Sequence, residues 1–298
     1  MTTKTTTVLI TGASAGLGAA FARGFAAKGC DLVLVARDKA RLDALAGDLG
    51  RQFGVSCEVL PADLLDPAQC ASVAERLADR ARPVDVLVNN AGFGLPAPFP
   101  HSPVEDEERM LDLLVKVPLR LTHALLPGLR ERRRGAVLNV SSVASLLPTG
   151  TYGAAKAWIT AFSESLRVDM EPYGVRVLAV LPGFTRTEFQ ERAGMDVSSL
   201  RDAVWLEPEA VVERALRDLT RRRPLSITGR RYRAYALAVR HLPRDFVARR
   251  MARKRSAPAD RPDGGGGRGA RANRRDPPMR GRGAGGAAGG GGEDARRP

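Results

Sequence analysis

Cysteine is scarce in this sequence: Cys30, Cys57 and Cys70 are the only three among 298 residues, and no two stand in a Cys-x-x-Cys spacing. An odd, scattered set excludes a disulfide scaffold and implies reduced thiols, as expected of a cytoplasmic protein. Histidine is equally rare, with His101, His123 and His241 far apart, so no converging nitrogen and sulfur ligands suggest a metal. Long apolar runs are missing too. Nothing approaches the ~20 residues of a membrane span, and "MTTKTTTVLI" has too short an apolar segment for a secretory leader. Acidic residues are thin in one region only. Residues 217–298 carry 23 Lys and Arg against 7 Asp and Glu, whereas residues 1–216 carry 24 against 26. The formal charge of +14 therefore belongs to the C-terminal part, and no specific nucleic-acid partner is expected for the body.

An apolar content of 44% is ample for a core, and the length suits one large α/β domain or two modest ones. Apolar runs of strand length alternate with helical patterns. Strands are expected at 7–11, 31–36, 57–63, 84–92, 135–142 and 175–183, and helices at 16–28, 38–53, 67–80, roughly 105–130 and 152 to about 173. Nearly continuous Val, Leu and Ile in each strand imply a parallel sheet covered on both faces. Right-handed crossovers then make a doubly wound, Rossmann-like α/β sandwich in one domain, residues 1–241. Beyond it, "LPRDFVARRMARKR" (242–255) reads as a short basic amphipathic helix, and the Gly-, Arg- and Pro-rich stretch 256–298 has too little to bury and is expected to be disordered. The helix leaves open a weak peripheral contact with an anionic membrane, although its short apolar face favours plain solvated basicity.

Between the first strand and first helix lies "TGASAGLG" (11–18), with glycines at 12, 16 and 18. Absent side chains there let backbone N–H groups approach a pyrophosphate at a helix N-terminus, whose dipole favours anions. A dinucleotide is the expected ligand. Strand two ends in Ala36 where NAD-specific folds place an acid for the ribose 2′-hydroxyl, and Arg37 follows. A guanidinium suits a 2′-phosphate, so NADP(H) is expected. Lys39 and Arg41 read more readily as a solvated helix face. Asp63, ending the third strand, suits either the adenine amino group or a helix N-cap region. Further on, "TYGAAKAW" (151–158) sets Tyr152 and Lys156 four positions apart, on one face of a helix.

These pieces, with "NNAG" at 89–92, the serine pair 141–142, "YGAAK" at 152–156 and "PGFTRTEF" at 182–189, resemble the short-chain dehydrogenase/reductase family over roughly residues 5–240. The likeness is to its NADP-linked carbonyl and 3-oxoacyl reductases. It implies a hydride transfer between nicotinamide and a carbonyl or secondary alcohol, with Tyr152 as acid/base, Lys156 lowering the phenol's pKa and holding the nicotinamide ribose, and Ser142 (Ser141 as fallback) orienting the substrate oxygen. It also implies cofactor contacts from Gly12, Ser14, Gly16, Leu17 and Gly18, from Asn89, Ala91 and Gly92, and from Pro182, Gly183, Thr185 and Thr187. A homo-oligomer acting on a small molecule is the usual form of such proteins.

Two departures stand out. Leu114 occupies the place where many members carry an asparagine thought to hold a relay water, so an altered route, through Lys116 or another water, is expected. The stretch between Ser142 and Tyr152 is also a few residues short. Leu114 motivates the alternative of a weak or inactive NADPH-binding regulator or scaffold. The loops 93–104 and 184–206 should shape an apolar substrate pocket.

Overall fold

The computed structural model describes residues 5–198 and 200–242. The expected tail at 256–298 and nearly all of the basic helix at 242–255, with the membrane contact assigned to it, lie outside the described residues. Seven strands and their helices follow in chain order: β1 (Thr7–Thr11), α1 (Gly16–Ala26), β2 (Asp31–Ala36), α2 (Lys39–Phe53), β3 (Cys57–Pro61), α3 (Pro67–Ala78) and β4 (Val86–Asn89). Then come α4 (Val104–Leu111), α5 (Val117–Arg132), β5 (Ala136–Val140), α6 (Gly150–Met170), β6 (Arg176–Val180), α7 (Phe189–Arg192), α8 (Pro208–Thr220), β7 (Leu225–Ser226) and α9 (Arg230–His241).

Local chemistry sets several of these boundaries. Asp38 caps α2 by accepting from the Arg41 N–H, and Gly54 ends it in the left-handed region at φ 69°. Asp66 caps α3 through the Ala68 and Gln69 N–H groups, with Pro67 in the first turn, where its missing N–H costs nothing.

The strands form one parallel sheet in the order β3-β2-β1-β4-β5-β6-β7. Alternation along each strand feeds two apolar layers. Val8 and Ile10 pack with Phe21, Leu42, Leu138 and Val212 on one face. Leu9 packs with Leu87, Leu121, Leu125 and Val137 on the other. This is the expected doubly wound sandwich. Strand order reverses between β1 and β4, which opens a crevice at their C-terminal ends. No helix among the described residues is long and apolar enough to cross a membrane.

The expected helix over 105–130 runs without interruption through α4 and α5. A π-turn spans Asp112–Lys116 between α4 and α5. Pro118 opens α5 without an N–H to give to the preceding turn, which favours the wider winding there. The turn carries Leu114. After helix α8 the two-residue β7 extends the sheet beyond the six expected strands.

A polar seam runs through the apolar layer under β4 and β5. The Asn89 amide donates to Thr122 Oγ1 (3.1 Å) and Asn139 Oδ1 (2.8 Å), and Asn139 donates to Ser163 Oγ (2.8 Å). All four residues are buried. Breaking the seam strands polar groups away from water, which costs roughly 1–3 kcal/mol per orphaned group. Asn139→Ala should therefore lower the unfolding free energy by about that much in urea titrations, and an unchanged midpoint would show that the seam contributes nothing.

Candidate active site

At the switch point the glycine turn is tied to β4. Thr11 Oγ1 accepts from the N–H groups of Asn90 (3.0 Å) and Ala91 (3.1 Å), and the Asn90 amide donates to the carbonyls of Thr11 (2.9 Å) and Gly12 (3.2 Å). Gly12 takes φ 66°, and a Cβ on Gly18 would lie 2.0 Å from the Gly12 carbonyl oxygen. Only glycine fits at 18. Helix α1 opens with no side-chain cap and no acidic residue in its first turn. Its leading N–H groups, with Ser14 and Leu17 beside them, are free to meet an anion, so the turn fits a pyrophosphate.

Asn90, which the sequence reading passed over, thus holds the turn. Asn89 does not face the crevice. Its amide is used inside the seam described above, because alternation along β4 points it at α5. Ala91 and Gly92 follow on the crevice side. Arg37 is exposed just past β2. The Asp63 carboxylate closes a turn by accepting from the Leu65 N–H at 3.0 Å, whereas the N-cap of α3 is Asp66. Arg41 is not simply a solvated face residue: both Glu188 oxygens accept from its Nη1, at 3.0 and 3.1 Å.

Ser142, Tyr152 and Lys156 converge at the end of β5. The two serines divide their work. Ser141 is buried and its hydroxyl is committed to the Lys156 carbonyl (2.8 Å) and Thr160 Oγ1 (2.7 Å), so it is the structural member. Ser142 caps the following turn through the Ala144 N–H, and its hydroxyl stands beside the Tyr152 phenol and favours the ionised form. Lys156 Nζ lies 5.7 Å from the centre of the Tyr152 ring and donates to the Val140 carbonyl at 2.7 Å. That is its only hydrogen bond among the described residues, which leaves two N–H groups uncommitted.

The electrostatics differ from expectation. The phenol is not acidified by the ammonium in the protein alone: burial pushes the Tyr152 phenol up to about 12, more than Ser142 lowers it. Burial also pulls Lys156 down to about 8. Desolvation disfavours both charged forms and outweighs their attraction at this separation. Leu114 adds to the dryness. A Cβ on Gly92 would lie 2.7 Å from Leu114 Cδ2 and 3.9 Å from Lys156 Nζ, which places the leucine next to the ammonium's neighbourhood. Lys116, the expected alternative, is exposed and paired with Asp112 at 2.5 Å.

The segment after β6 completes the site. The Pro182 carbonyl accepts from the Val143 N–H at 3.0 Å, which joins this segment to the serines. Thr187 packs on the glycine turn: a Cβ on Gly16 would lie 3.2 Å from its Cβ and Cγ2. Thr185, expected at the nicotinamide, is buried, and its hydroxyl donates back to the Gly183 carbonyl at 3.0 Å. Phe189, in the 184–206 loop expected to shape an apolar pocket, tilts against Tyr152 with ring centres 6.0 Å apart. Gly94 and Ala193 stand beside it: a Cβ on Gly94 would lie 3.4 Å from Ala193 Cβ and 3.5 Å from Phe189 Cζ.

Between pH 8 and 10.5 the unfolded chain binds more protons at position 156 than the native chain does, so native stability should rise with pH across that window. Tyr152 acts oppositely: its native pKa exceeds the ordinary value of 10.0, and stability falls from about pH 10 to 12. Denaturant titrations of wild type and Lys156→Met should show the wild type gaining on the variant as pH rises from 8 to 10. A constant difference between them would mean that the lysine is not desolvated.

The short chain dehydrogenase family profile matches residues 6–197. A sulfoacetaldehyde reductase 2 of Chromohalobacter salexigens is 41% identical over 217 residues, 69% of this chain and 85% of that protein. An NADP-dependent 3-hydroxy acid dehydrogenase of Salmonella typhi is 37% identical over 222 residues, 69% of this chain and 86% of its own. Among solved structures, a short-chain dehydrogenase from Sphingobium yanoikuyae in complex with NADPH is 38% identical with a TM-score of 0.72, covering 87% of this chain and 98% of that one. With its glycine turn at the switch point and its Ser–Tyr–Lys cluster at the end of β5, this chain belongs to the short-chain dehydrogenase/reductase family of oxidoreductases.

Proposed function

We propose that the chain is an NADP(H)-dependent reductase of carbonyl compounds, and in reverse a dehydrogenase of secondary alcohols. The reading rests above all on one observation: Tyr152 stands between the Ser142 hydroxyl and the Lys156 ammonium, at the strand ends beside the glycine turn. The N–H groups of the 12–18 turn would take the pyrophosphate, Arg37 the 2′-phosphate and Asp63 the adenine edge. Lys156 and Tyr152 would take the ribose, and the 182–187 segment the carboxamide. The NADPH-bound neighbour and the NADP-dependent relative support the phosphorylated cofactor.

When bound, the nicotinamide supplies or accepts the hydride, and the chain handles the proton and the geometry. Tyr152 Oη gives its proton to the substrate oxygen during reduction. Ser142 Oγ donates to the same oxygen and keeps it within reach. Lys156, steadied by Val140, puts a positive charge where the phenolate forms. A phenol held protonated by burial is the form that reduction needs. The Phe189, Ala193 and Gly94 wall favours small carbonyl substrates with an apolar flank. Exposed Leu119 on α5 and Trp158 on α6 support pairing with a second copy, readable by sedimentation.

NADPH absorbance should fall when the protein meets a panel of ketones and aldehydes. Tyr152→Phe should abolish turnover and leave NADPH binding intact, and undiminished turnover would remove Tyr152 from the mechanism. NADPH binding with no consumption across the panel would leave a cofactor-binding regulator. Arg37→Ala should cut the preference for NADPH over NADH by roughly ten- to a hundredfold, the worth of a charge-assisted hydrogen bond of ~1.5–3 kcal/mol. An unchanged ratio would move the 2′-phosphate elsewhere.

A further inference from the structure

Past Val180 the chain leaves the sheet and does not enter its next long helix until Pro208, with the catalytic neighbourhood on one limb of the excursion. The two limbs meet at a neck. Leu206 N–H donates to the Phe184 carbonyl (2.8 Å), Arg186 N–H donates to the Leu206 carbonyl (2.9 Å), and Thr185 pairs in parallel with Leu206. The same neck is fastened from outside by Tyr232, in the first turn of α9. Its hydroxyl accepts from the Phe184 N–H (3.0 Å) and donates to the Val204 carbonyl (2.7 Å), so its one proton and one lone pair tie the outgoing limb to the returning one. Burial pushes this phenol's pKa up and keeps the proton in place.

The ring is as constrained as the hydroxyl. A Cβ on Gly183 would lie 2.1–2.5 Å from three Tyr232 ring carbons, so the ring fills the place of a side chain there. Gly229, at φ 86°, turns the chain into α9 just before it. Neighbouring Arg231 donates to the Ala203 carbonyl (3.3 Å), a second tie to the returning limb. Helix α9 also packs against the turn at 143–146, which follows Ser142. One helix outside every motif in the sequence thus touches both segments that flank Tyr152.

We infer that Tyr232 is a positioning residue for the hydride-transfer step: it fixes the Gly183–Phe184 turn and, through it, Thr187 against the glycine turn. The inference rests on the hydride-transfer reading. It commits the hydroxyl to aligning the nicotinamide half of the cofactor and leaves the adenosine half independent of it, because β2 and β3 lie on the far side of the switch point.

Tyr232→Phe keeps the ring over Gly183 and removes only the tie. The variant should lose roughly tenfold in kcat, the scale of one neutral hydrogen bond compounded by slight misplacement. It should also show a larger primary isotope effect with deuterated NADPH, while its affinity for adenosine 2′,5′-bisphosphate stays at the wild-type value and its melting temperature drops only by the few degrees that the lost tie costs. Unchanged kcat and isotope effect would overturn the inference. So would a loss matched by a much larger drop in melting temperature and weaker bisphosphate binding, since that is the signature of a packing residue. Hydrogen exchange separates this failure from failure of the reaction itself. If the wild type consumes no NADPH, the hydride-transfer reading falls. Faster exchange confined to residues 183–206 in the variant then still supports the neck assignment, and unchanged exchange removes that too.

Discussion

A buried ammonium needs a partner that does not neutralise it, and Lys156 finds one in the Val140 carbonyl. That bond is answered by another in the opposite direction: Ser141, the residue after Val140, gives its hydroxyl to the Lys156 carbonyl. The end of β5 and the second turn of α6 are thus sewn together twice. Tyr152, one turn earlier on the same helix face, is placed by that stitching. Because Ser141 is consumed in it, only Ser142 remains free to face the phenol. The dryness that makes the lysine titrate low and the tyrosine high comes from the same packing, with Leu114 nearby.

The parallel sheet explains why the two halves of the site meet. All strands point the same way, so all their C-terminal ends share one edge, and reversal of the order between β1 and β4 leaves a crevice there. The glycine turn, the Asn90 tie, the serines and the 182–187 segment are each the first residues after a strand. Asn89 and Asn139 lock β4 to β5 beneath the chemistry through a polar seam of side-chain hydrogen bonds, in which Asn89 Oδ1 itself has no partner among the described residues. Rigidity lies below the crevice, and the longer excursions lie above it.

Legibility followed the range of the interactions. The first six strands and the glycine turn were readable because each depends on a local run of Val, Leu and Ile or on absent side chains. The Tyr152–Lys156 pairing followed from helical spacing alone. The 105–130 helix was readable as a whole, but its internal π-turn beside Pro118 was not, because periodicity does not record it. Asn89 and Asn90 could not be told apart by composition, since which amide enters the core depends on where alternation starts in β4. Strand β7 is too short to show a period, and it exists because β6 offers it an edge.

Sequence alone determined the doubly wound architecture, the anion-friendly turn and the placement of Tyr152 and Lys156 on one helix face, since these rest on propensity, periodicity and side-chain chemistry. Tertiary structure decided which serine is free and that the phenol and ammonium are both driven toward neutrality. It also decided that Tyr232, far along the chain, reaches Gly183. Those outcomes depend on what surrounds each group in space, and desolvation and hydrogen-bond competition are properties of that surrounding, not of the residue that feels them.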